Sequence, residues 1–193
     1  MKRVDNVWLV NLPEELRRAL DSLLKEENYI IEPEKSPTIL IVGAGLGVSS
    51  MPLMDAEPGS WLAEVQRQFL DLFHAIQITV PAMEGGGRGK VIVVTTDVGI
   101  CGALDSSVAG AISAGVISAT RSFARELAPR GIIVNAICGG TILREAADTK
   151  STQITLADPW ATAVATIFAI DQRLRSLVGQ VIVCNDESTR SRT

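Results

Sequence analysis

The chain contains few aromatic residues and very little histidine or cysteine. Its 193 residues include four Phe, three Trp, one tyrosine (Tyr29) and one histidine (His74). The three cysteines, Cys101, Cys138 and Cys184, are widely spaced and form no CxxC pair. This spacing argues against a disulfide framework or a zinc site and favours a reducing cytoplasm. We therefore expect a chain without a metal centre.

Long hydrophobic runs and basic clusters are missing as well. Charges, prolines or glycines interrupt every apolar run before the ~18 residues that a membrane-spanning helix needs, and the start, MKRVDNVWLV, lacks the pattern of a signal peptide. The net charge is −4, and no basic block marks a nucleic-acid surface. We expect a cytoplasmic protein that binds neither membranes nor nucleic acid. Because 47% of its residues are hydrophobic, part of its surface is expected to lie under another subunit.

The sequence does contain a regular alternation of apolar runs and segments with helical spacing. Near-continuous apolar runs are typical of strands that are buried on both faces of a parallel sheet. The alternation predicts one α/β domain with a reduced Rossmann-like parallel sheet flanked by helices. The predicted strands are VWLV, TILIV, KVIVVTT, GIIVNAIC and QVIVC, and the predicted helices cover 13–27, 60–83, 106–131 and 158–174.

The run TILIVGAGLGVSS, which begins at Thr38, raises the question of a dinucleotide site. A Rossmann turn has the pattern GxGxxG directly before a helix, so that backbone N–H groups and the helix N-terminus bind the pyrophosphate. Here Gly43, Gly45 and Gly47 are followed by Val48 at the sixth position, and then by two prolines with no helical period. The fingerprint fails in spacing and in context. We predict that these glycines only end a strand.

The strand–helix unit before this run has no glycine in its turn. Pro13 is predicted at the first helical position, with Glu14 and Glu15 in the first turn. Carboxylates there complement the helix dipole and repel a phosphate. The sequence therefore predicts a structural unit and no cofactor-binding residue in this chain.

The run FARELAPRGIIVNAICGG closely resembles the short-chain dehydrogenase/reductase (SDR) family, in which a similar run joins the active-site helix to the next strand. TILIVGAG resembles the family's strand ending in NNAG, with Gly43 in place of an Asn. GRGKVIVVTTDVG resembles the strand that ends in the catalytic serine. The resemblance covers 38–186 and implies a truncated SDR fold. In this interpretation 1–37 is a contracted remnant of the cofactor-binding half and 187–193 is a polar tail.

The family's mechanism implies four catalytic side chains. A Tyr acts as general acid and base, a Lys lowers its pKa, a Ser holds the substrate oxygen and an Asn supports a proton relay. Carried over by position, the residues at the Ser, Tyr, Lys and Asn positions are Thr96, Ala109, Ser113 and Gln68. Without Tyr and Lys the site has no proton donor, so we expect no catalytic residue. His74, in the middle of a helix, is predicted to be a packed or interface side chain.

Two larger parts of the family's pattern are also reduced. Only about one strand–helix unit precedes the VGAG strand, so the glycine-rich turn and the acidic ribose-binding residue have no counterpart. The segment between CGG and ADPW, which is the substrate lid in the family, is short. We interpret the chain as a pseudoenzyme.

The two helices that form the family's dimer interface keep surfaces suited to association. The first is apolar nearly all round, and the second carries small uncharged residues that permit close helix approach. We predict a non-catalytic subunit that assembles with an active SDR dehydrogenase in a heterodimer or heterotetramer. That partner would hold NAD(H), and it would oxidise, for example, a hydroxyacyl-CoA in anaerobic aromatic degradation. The predicted interface residues are Phe69, Phe73, Ala111, Ala114, Ser118 and Ser122.

The residues leave two alternatives open. The chain would be an oxidoreductase with a non-standard active site if Thr96 and Asp97 carried the chemistry, although an aspartate at a strand end is usually solvated or bonded to backbone. The other alternative is a stand-alone homo-oligomer with a binding or regulatory role.

Overall fold

A computed structural model describes residues 5–32, 36–145, 152–171 and 173–184 of the chain. Asp186, the last residue of the predicted core, and the polar tail predicted for 187–193 lie outside these ranges. Among the described helices, none is both long and apolar enough to cross a membrane.

Eight strands and five α-helices make up the described part of the chain. In chain order they are β1 (Val7–Val10), α1 (Glu14–Glu26), β2 (Ile39–Gly43), β3 (Val48–Ser49), α2 (Pro58–Gly85), β4 (Gly89–Thr96), α3 (Val98–Cys101), α4 (Ser107–Leu127), β5 (Ile132–Gly139), β6 (Thr141–Glu145), β7 (Thr152–Leu156), α5 (Pro159–Ile170) and β8 (Val181–Cys184). Short 3-10 helices span Leu53–Asp55 and Ala128–Arg130.

The central sheet contains five parallel strands in the order β1-β2-β4-β5-β8. These are the five strands that the sequence predicted. Every residue of β2 and β4 is buried, because helices cover both faces of the sheet. The predicted α/β Rossmann-like fold with a parallel sheet flanked by helices is thereby confirmed.

The helices form two layers. On one face, α1 and α5 pack against the sheet, and Leu16 and Leu20 of α1 meet Ile41 of β2 in one core. On the other face, α2 and α4 enclose a second core that includes Leu72 and Val93. Glu14 and Glu15 lie in the first turn of α1 and Lys25 in its last turn, the arrangement that the helix dipole favours.

A second, antiparallel sheet lies at the carboxyl edge of the central sheet, and the sequence did not predict it. In this sheet β7 pairs with β3 on one side and with β6 on the other. Val48 and Ile154 join the core beneath α2 and α4, whereas Leu156 joins the core on the opposite face. The segment interpreted as the short remnant of a substrate lid therefore contains strands that cover the sheet edge. A strand of two residues, such as β3, leaves no periodic signal in a sequence.

Thr120 on α4 carries a buried hydroxyl group that lowers the stability of the fold. The side chain is fully buried and its hydroxyl has no hydrogen-bond partner, a state that costs about 1–3 kcal/mol. We expect Thr120→Val, which keeps the shape and removes the hydroxyl, to raise the free energy of unfolding in urea by about 1 kcal/mol. Thr166→Val on α5 is the matched control, because the equally buried Thr166 hydroxyl donates to the Thr162 carbonyl at 2.8 Å. An equal rise of the unfolding free energy in both variants would contradict the conclusion that the Thr120 hydroxyl is unpaired.

Candidate functional site

Three hydroxyl groups meet at the carboxyl end of β4. Thr95 and Thr96 end this strand, and Ser113 faces them from α4. The Thr95 hydroxyl donates to Ser113 Oγ at 3.0 Å, and Thr96 Oγ1 lies 2.7 Å from the same oxygen. All three side chains are fully buried. The three hydroxyl groups of this cluster therefore hydrogen-bond to one another. They are closed to solvent, which is the side from which a substrate oxygen would have to approach.

Gln68 on α2 binds the glycine loop, and the glycine loop packs on the hydroxyl cluster. Its Oε1 accepts a hydrogen bond from the Gly45 N–H at 3.0 Å, and its Nε2 donates to Glu64 at 3.0 Å. Gly45 has a φ of 74°, and a Cβ there would lie 3.1 Å from Ser113 Oγ and 3.3 Å from Thr95 Oγ1. Its conformation and its close approach to the cluster both require glycine.

Gly43 has an equally local reason to be glycine. A Cβ at this position would lie 2.2 Å from the carbonyl oxygen of Asn11, in the turn that follows β1. The asparagine that the family carries at this position would clash with that backbone. The next long helix, α2, begins only at Pro58, so no long helix begins directly after the glycine loop to bind a phosphate.

Ala109 and Ser113, which the sequence analysis placed at the family's Tyr and Lys positions, lie on successive turns of α4. Ala109 is fully buried in the core that α2 and α4 enclose, and it carries no group that transfers a proton. The structure thus brings together three of the four predicted positions, Thr96, Ser113 and Gln68, with Ala109 one turn away from Ser113. Sequence reasoning missed Thr95 and Gly45 as members of this arrangement, although two threonines at a strand end were a visible signal.

Tyr29 and Lys90 do not form a Tyr–Lys pair at this site. Lys90 lies near the amino end of β4, about 20 Å along the strand from Thr96. It is 1% exposed, and its ammonium donates to the carbonyls of Ala169 and Asp171 at the end of α5. Burial lowers the pKa of Lys90. Burial, followed by the nearby aspartates, raises the pKa of Tyr29, which is opposite to the shift that a catalytic tyrosine needs.

Asp97, the candidate substitute acid, is buried at 7% exposure. Its carboxylate accepts a hydrogen bond from the Thr141 hydroxyl, and its backbone N–H donates to the Gly139 carbonyl at 3.0 Å. The expectation of a solvated or backbone-bonded carboxylate is therefore wrong. The bond between Asp97 and Thr141 joins the end of β4 to the start of β6. At this point the chain passes from the central sheet into the side sheet.

The predicted interface residues on α2 differ in their surroundings. Phe73 is 37% exposed and packs edge-to-face against Phe123 of α4, with ring centroids 5.6 Å apart. Phe69 is half-buried instead, and a Cβ on Gly115 would lie 2.6 Å from its ring. Phe69 therefore joins α2 to α4 inside the chain, and its availability to a partner is smaller than predicted.

The predicted residues on α4 are more open. Ala114, Ser118 and Ser122 are exposed and Ala111 is half-buried. Beside them α2 and α4 form a groove of about 300 Å³, lined among others by Phe73, Ile76, Val80, Phe123 and Leu127. His74 is exposed rather than packed, in a shallow groove between α2 and β1. In the part of the chain that the structure describes, no group of three His, Cys, Asp or Glu side chains could hold a metal ion.

A comparison with known protein families identifies the family of this chain. Residues 30–155 match the model of the short chain dehydrogenase family. The chain belongs to the short-chain dehydrogenase family.

Named members of the family are similar to this chain over most or part of its length. The 3-oxoacyl-[acyl-carrier-protein] reductase FabG of Staphylococcus aureus is 30% identical over 175 residues, which are 85% of this chain and 70% of that protein. The 2-dehydro-3-deoxy-L-rhamnonate dehydrogenase (NAD(+)) of a Sphingomonas species is 31% identical over 103 residues, which are 53% of this chain and 41% of that protein.

Solved structures show the same fold at low identity. A short-chain dehydrogenase from Leptospira borgpetersenii with bound NAD+ has a TM-score of 0.78 at 17% identity, covering 95% of this chain and 92% of that one. ElxO with bound NADP has a TM-score of 0.76 at 14% identity, covering 98% of this chain and 100% of that one. The architecture of this SDR chain is thus shared with proteins whose structures contain a bound nicotinamide cofactor.

Two glycines of the loop provide a matched test of its packing. Gly45 and Gly47 both have positive φ, but a Cβ on Gly47 would meet nothing within 4 Å. We expect Gly47→Ala to cost about 1 kcal/mol of unfolding free energy, the cost of the left-handed conformation. Gly45→Ala should cost about 1–3 kcal/mol more, because it also crowds the hydroxyl cluster. Equal losses in urea denaturation would show that the loop does not press on the cluster.

The buried thiol of Cys138 on β5 makes the stability of the folded chain depend on pH. Burial, with Asp97 as a smaller cause, raises the pKa of its thiol from 9.0 to about 12. The folded chain therefore keeps a proton that the unfolded chain releases, and stability is lost as the pH rises from 9 towards 12. Between these values the unfolding free energy of the wild type should fall more steeply with pH than that of Cys138→Ala, by up to about 1.4 kcal/mol per pH unit. Cys101→Ala, which removes a thiol of an exposed residue, should change the slope of unfolding free energy against pH less. An equal change in both variants would show that the Cys138 thiol is not the cause.

Proposed function

We propose that this chain is a non-catalytic SDR subunit that assembles with a catalytically complete SDR dehydrogenase. The observation that carries the proposal is the closed hydroxyl cluster. Ser113, at the family's Lys position, shares its hydroxyl with Thr96, at the Ser position, and both are fully buried. Two groups that would hold and activate a substrate are bound to each other.

The chemistry of carbonyl reduction explains why this set is inert. Hydride addition to a carbonyl leaves a charge on oxygen, and an acid must deliver a proton to that oxygen. Ala109 has no proton to deliver. Ser113 carries no positive charge that would lower the pKa of a neighbouring hydroxyl. Thr95, Thr96 and Ser113 offer only neutral hydroxyls, which are already hydrogen-bonded to one another.

The residues of this chain also do not fit a nicotinamide cofactor. The glycine loop packs on its own chain through Gly45 and Gly43, and α1 begins with Glu14 and Glu15, whose charges disfavour a pyrophosphate. We therefore assign NAD(H) to the active partner. The cofactors named for related structures belong to those proteins.

Exposed apolar surface supports assembly. The groove between α2 and α4 is apolar, and Ser118 and Ser122 beside it allow a partner helix to approach closely. A second apolar stripe runs along α5, where Trp160, Val164 and Phe168 are about half exposed. Contiguous apolar surface of this kind marks interaction sites on soluble chains.

The partner class that we propose oxidises a hydroxyacyl-CoA in anaerobic aromatic degradation. In its pattern of losses the chain resembles the inactive subunit of 2-[hydroxy(phenyl)methyl]succinyl-CoA dehydrogenase. Of the alternatives, the apolar faces of α2 and α5 equally suit a homo-oligomer. A non-standard oxidoreductase site is less favoured, because Thr96 is held by Ser113 and Asp97 by Thr141.

Co-expression with a catalytically complete SDR dehydrogenase from the same organism tests the proposal by native mass spectrometry. We expect a hetero-oligomer, which Ser118→Asp with Ser122→Asp on α4 should disrupt, because two charges would enter the interface. Ser22→Asp on the exposed side of α1 is the matched control and should leave assembly unchanged. The isolated chain should show no saturable binding of NADH in calorimetry.

Two results would overturn the proposal. Tight NADH binding by the isolated chain would restore a catalytic role. A stable homo-oligomer that ignores the co-expressed SDR would favour the stand-alone alternative.

A further inference from the structure

Five large apolar side chains project into solvent at the carboxyl edge of the sheet. They lie in the loop that precedes α2, on the short helix α3, and in the loop that joins α3 to α4. Met54 is 90% exposed and Leu104 is 81% exposed. We call this surface the mouth patch; its members are Met51, Leu53, Met54, Ile100 and Leu104. None of these residues belongs to the groove between α2 and α4.

Hydrogen bonds hold the two loops side by side. The carbonyl of Asp105 accepts from the Met51 N–H at 2.8 Å and from the Ser50 hydroxyl at 3.0 Å. The Ser106 hydroxyl donates to the Leu104 carbonyl at 2.7 Å. The exposed side chains therefore stand on a fixed backbone, and the two loops present one surface.

The charged side chains of the two loops are acidic, and we call them the acidic rim of the mouth patch. Asp55, Glu57 and Asp105 lie in these loops, and neither 46–60 nor 95–120 contains a lysine or arginine. Glu57 accepts hydrogen bonds from the N–H groups of Gly59 and Ser60 at the start of α2, which hold its pKa below the usual value. A surface with this charge repels phosphate groups, nucleic acids and anionic lipid headgroups.

We infer that the mouth patch docks a protein segment whose apolar side chains are flanked by lysine or arginine. The apolar centre supplies the surface to be buried, and the acidic rim selects a basic partner segment. Met51 and Met54 adapt to different apolar shapes because their side chains are unbranched and flexible. This docking does not depend on the chain being inactive, nor on assembly through α2 and α4.

Two short amphipathic peptides of equal length test the charge selection with the full-length chain. One is built of leucine and lysine, and the other has glutamate in place of every lysine. We expect the lysine peptide to bind at least about tenfold more tightly in calorimetry, with an affinity that falls as salt is added.

Cys101 reports where the peptide binds. Its thiol is exposed and lies beside Ile100 of the patch, so a bound lysine peptide should slow its alkylation by N-ethylmaleimide, measured by mass spectrometry. The glutamate peptide should leave the rate unchanged.

Matched variants separate the mouth patch from other surfaces. Met54→Ser with Leu104→Ser should abolish binding, whereas Val164→Ser with Phe168→Ser on α5 removes two apolar residues that are about half exposed and should not. Asp55→Asn with Asp105→Asn should weaken binding about tenfold, and asparagine tolerates the φ of 53° at position 105. Glu26→Gln with Glu27→Gln on α1 is the control for net charge.

The inference is overturned if the two peptides bind equally, if neither binds, or if the control variants weaken binding as much as the patch variants. Each of these outcomes leaves the proposed assembly with an SDR dehydrogenase untouched, because that assembly is measured with a different partner and different variants.

Discussion

The contact between Ser113 and the end of β4 determines how the carboxyl edge of this sheet is built. A side chain as short as serine allows α4 to lie directly on Thr95 and Thr96, and the glycine loop then packs on the same oxygens through Gly45. A lysine at this position would need space and a counter-charge that the closed edge lacks. The side sheet lies at the same edge, and its residues extend the cores on both faces. The short side chain of Ser113 and the closure of the edge are thus parts of one packing arrangement.

Most of the fold could be predicted from the sequence, because buried parallel strands and amphipathic helices leave periodic patterns. The five strands of the central sheet and the four long helices follow those patterns closely. The side sheet was missed because β3 has only two residues and because it pairs with β7, which lies far along the chain, where no local pattern records the pairing. Strand pairing of this kind depends on tertiary contacts, such as that of Val48 with Ile154.

The candidate site was predicted by position but not by geometry. Thr96, Ser113 and Gln68 were placed at the family's Ser, Lys and Asn positions, but no sequence pattern indicates that their side chains bond to each other or to the glycine loop. Asp97 was expected to be solvated or bonded to backbone, whereas its carboxylate is buried and bonded to Thr141, a residue that lies 44 positions further along the chain. The polar side chains at this edge are therefore paired within the chain, as buried hydrogen-bonding groups usually are.

Lys90 has a consequence for assembly. By binding the last carbonyls of α5, it fixes the end of this helix to the first residues of β4. Trp160, Val164 and Phe168 are consequently carried on a helix that is held at its C-terminal end as well as along its length. A protein that binds this stripe meets a surface that is already ordered, so little conformational entropy is lost on association. The buried ammonium thus acts as a mechanical anchor, on the opposite edge of the sheet from the closed hydroxyl cluster.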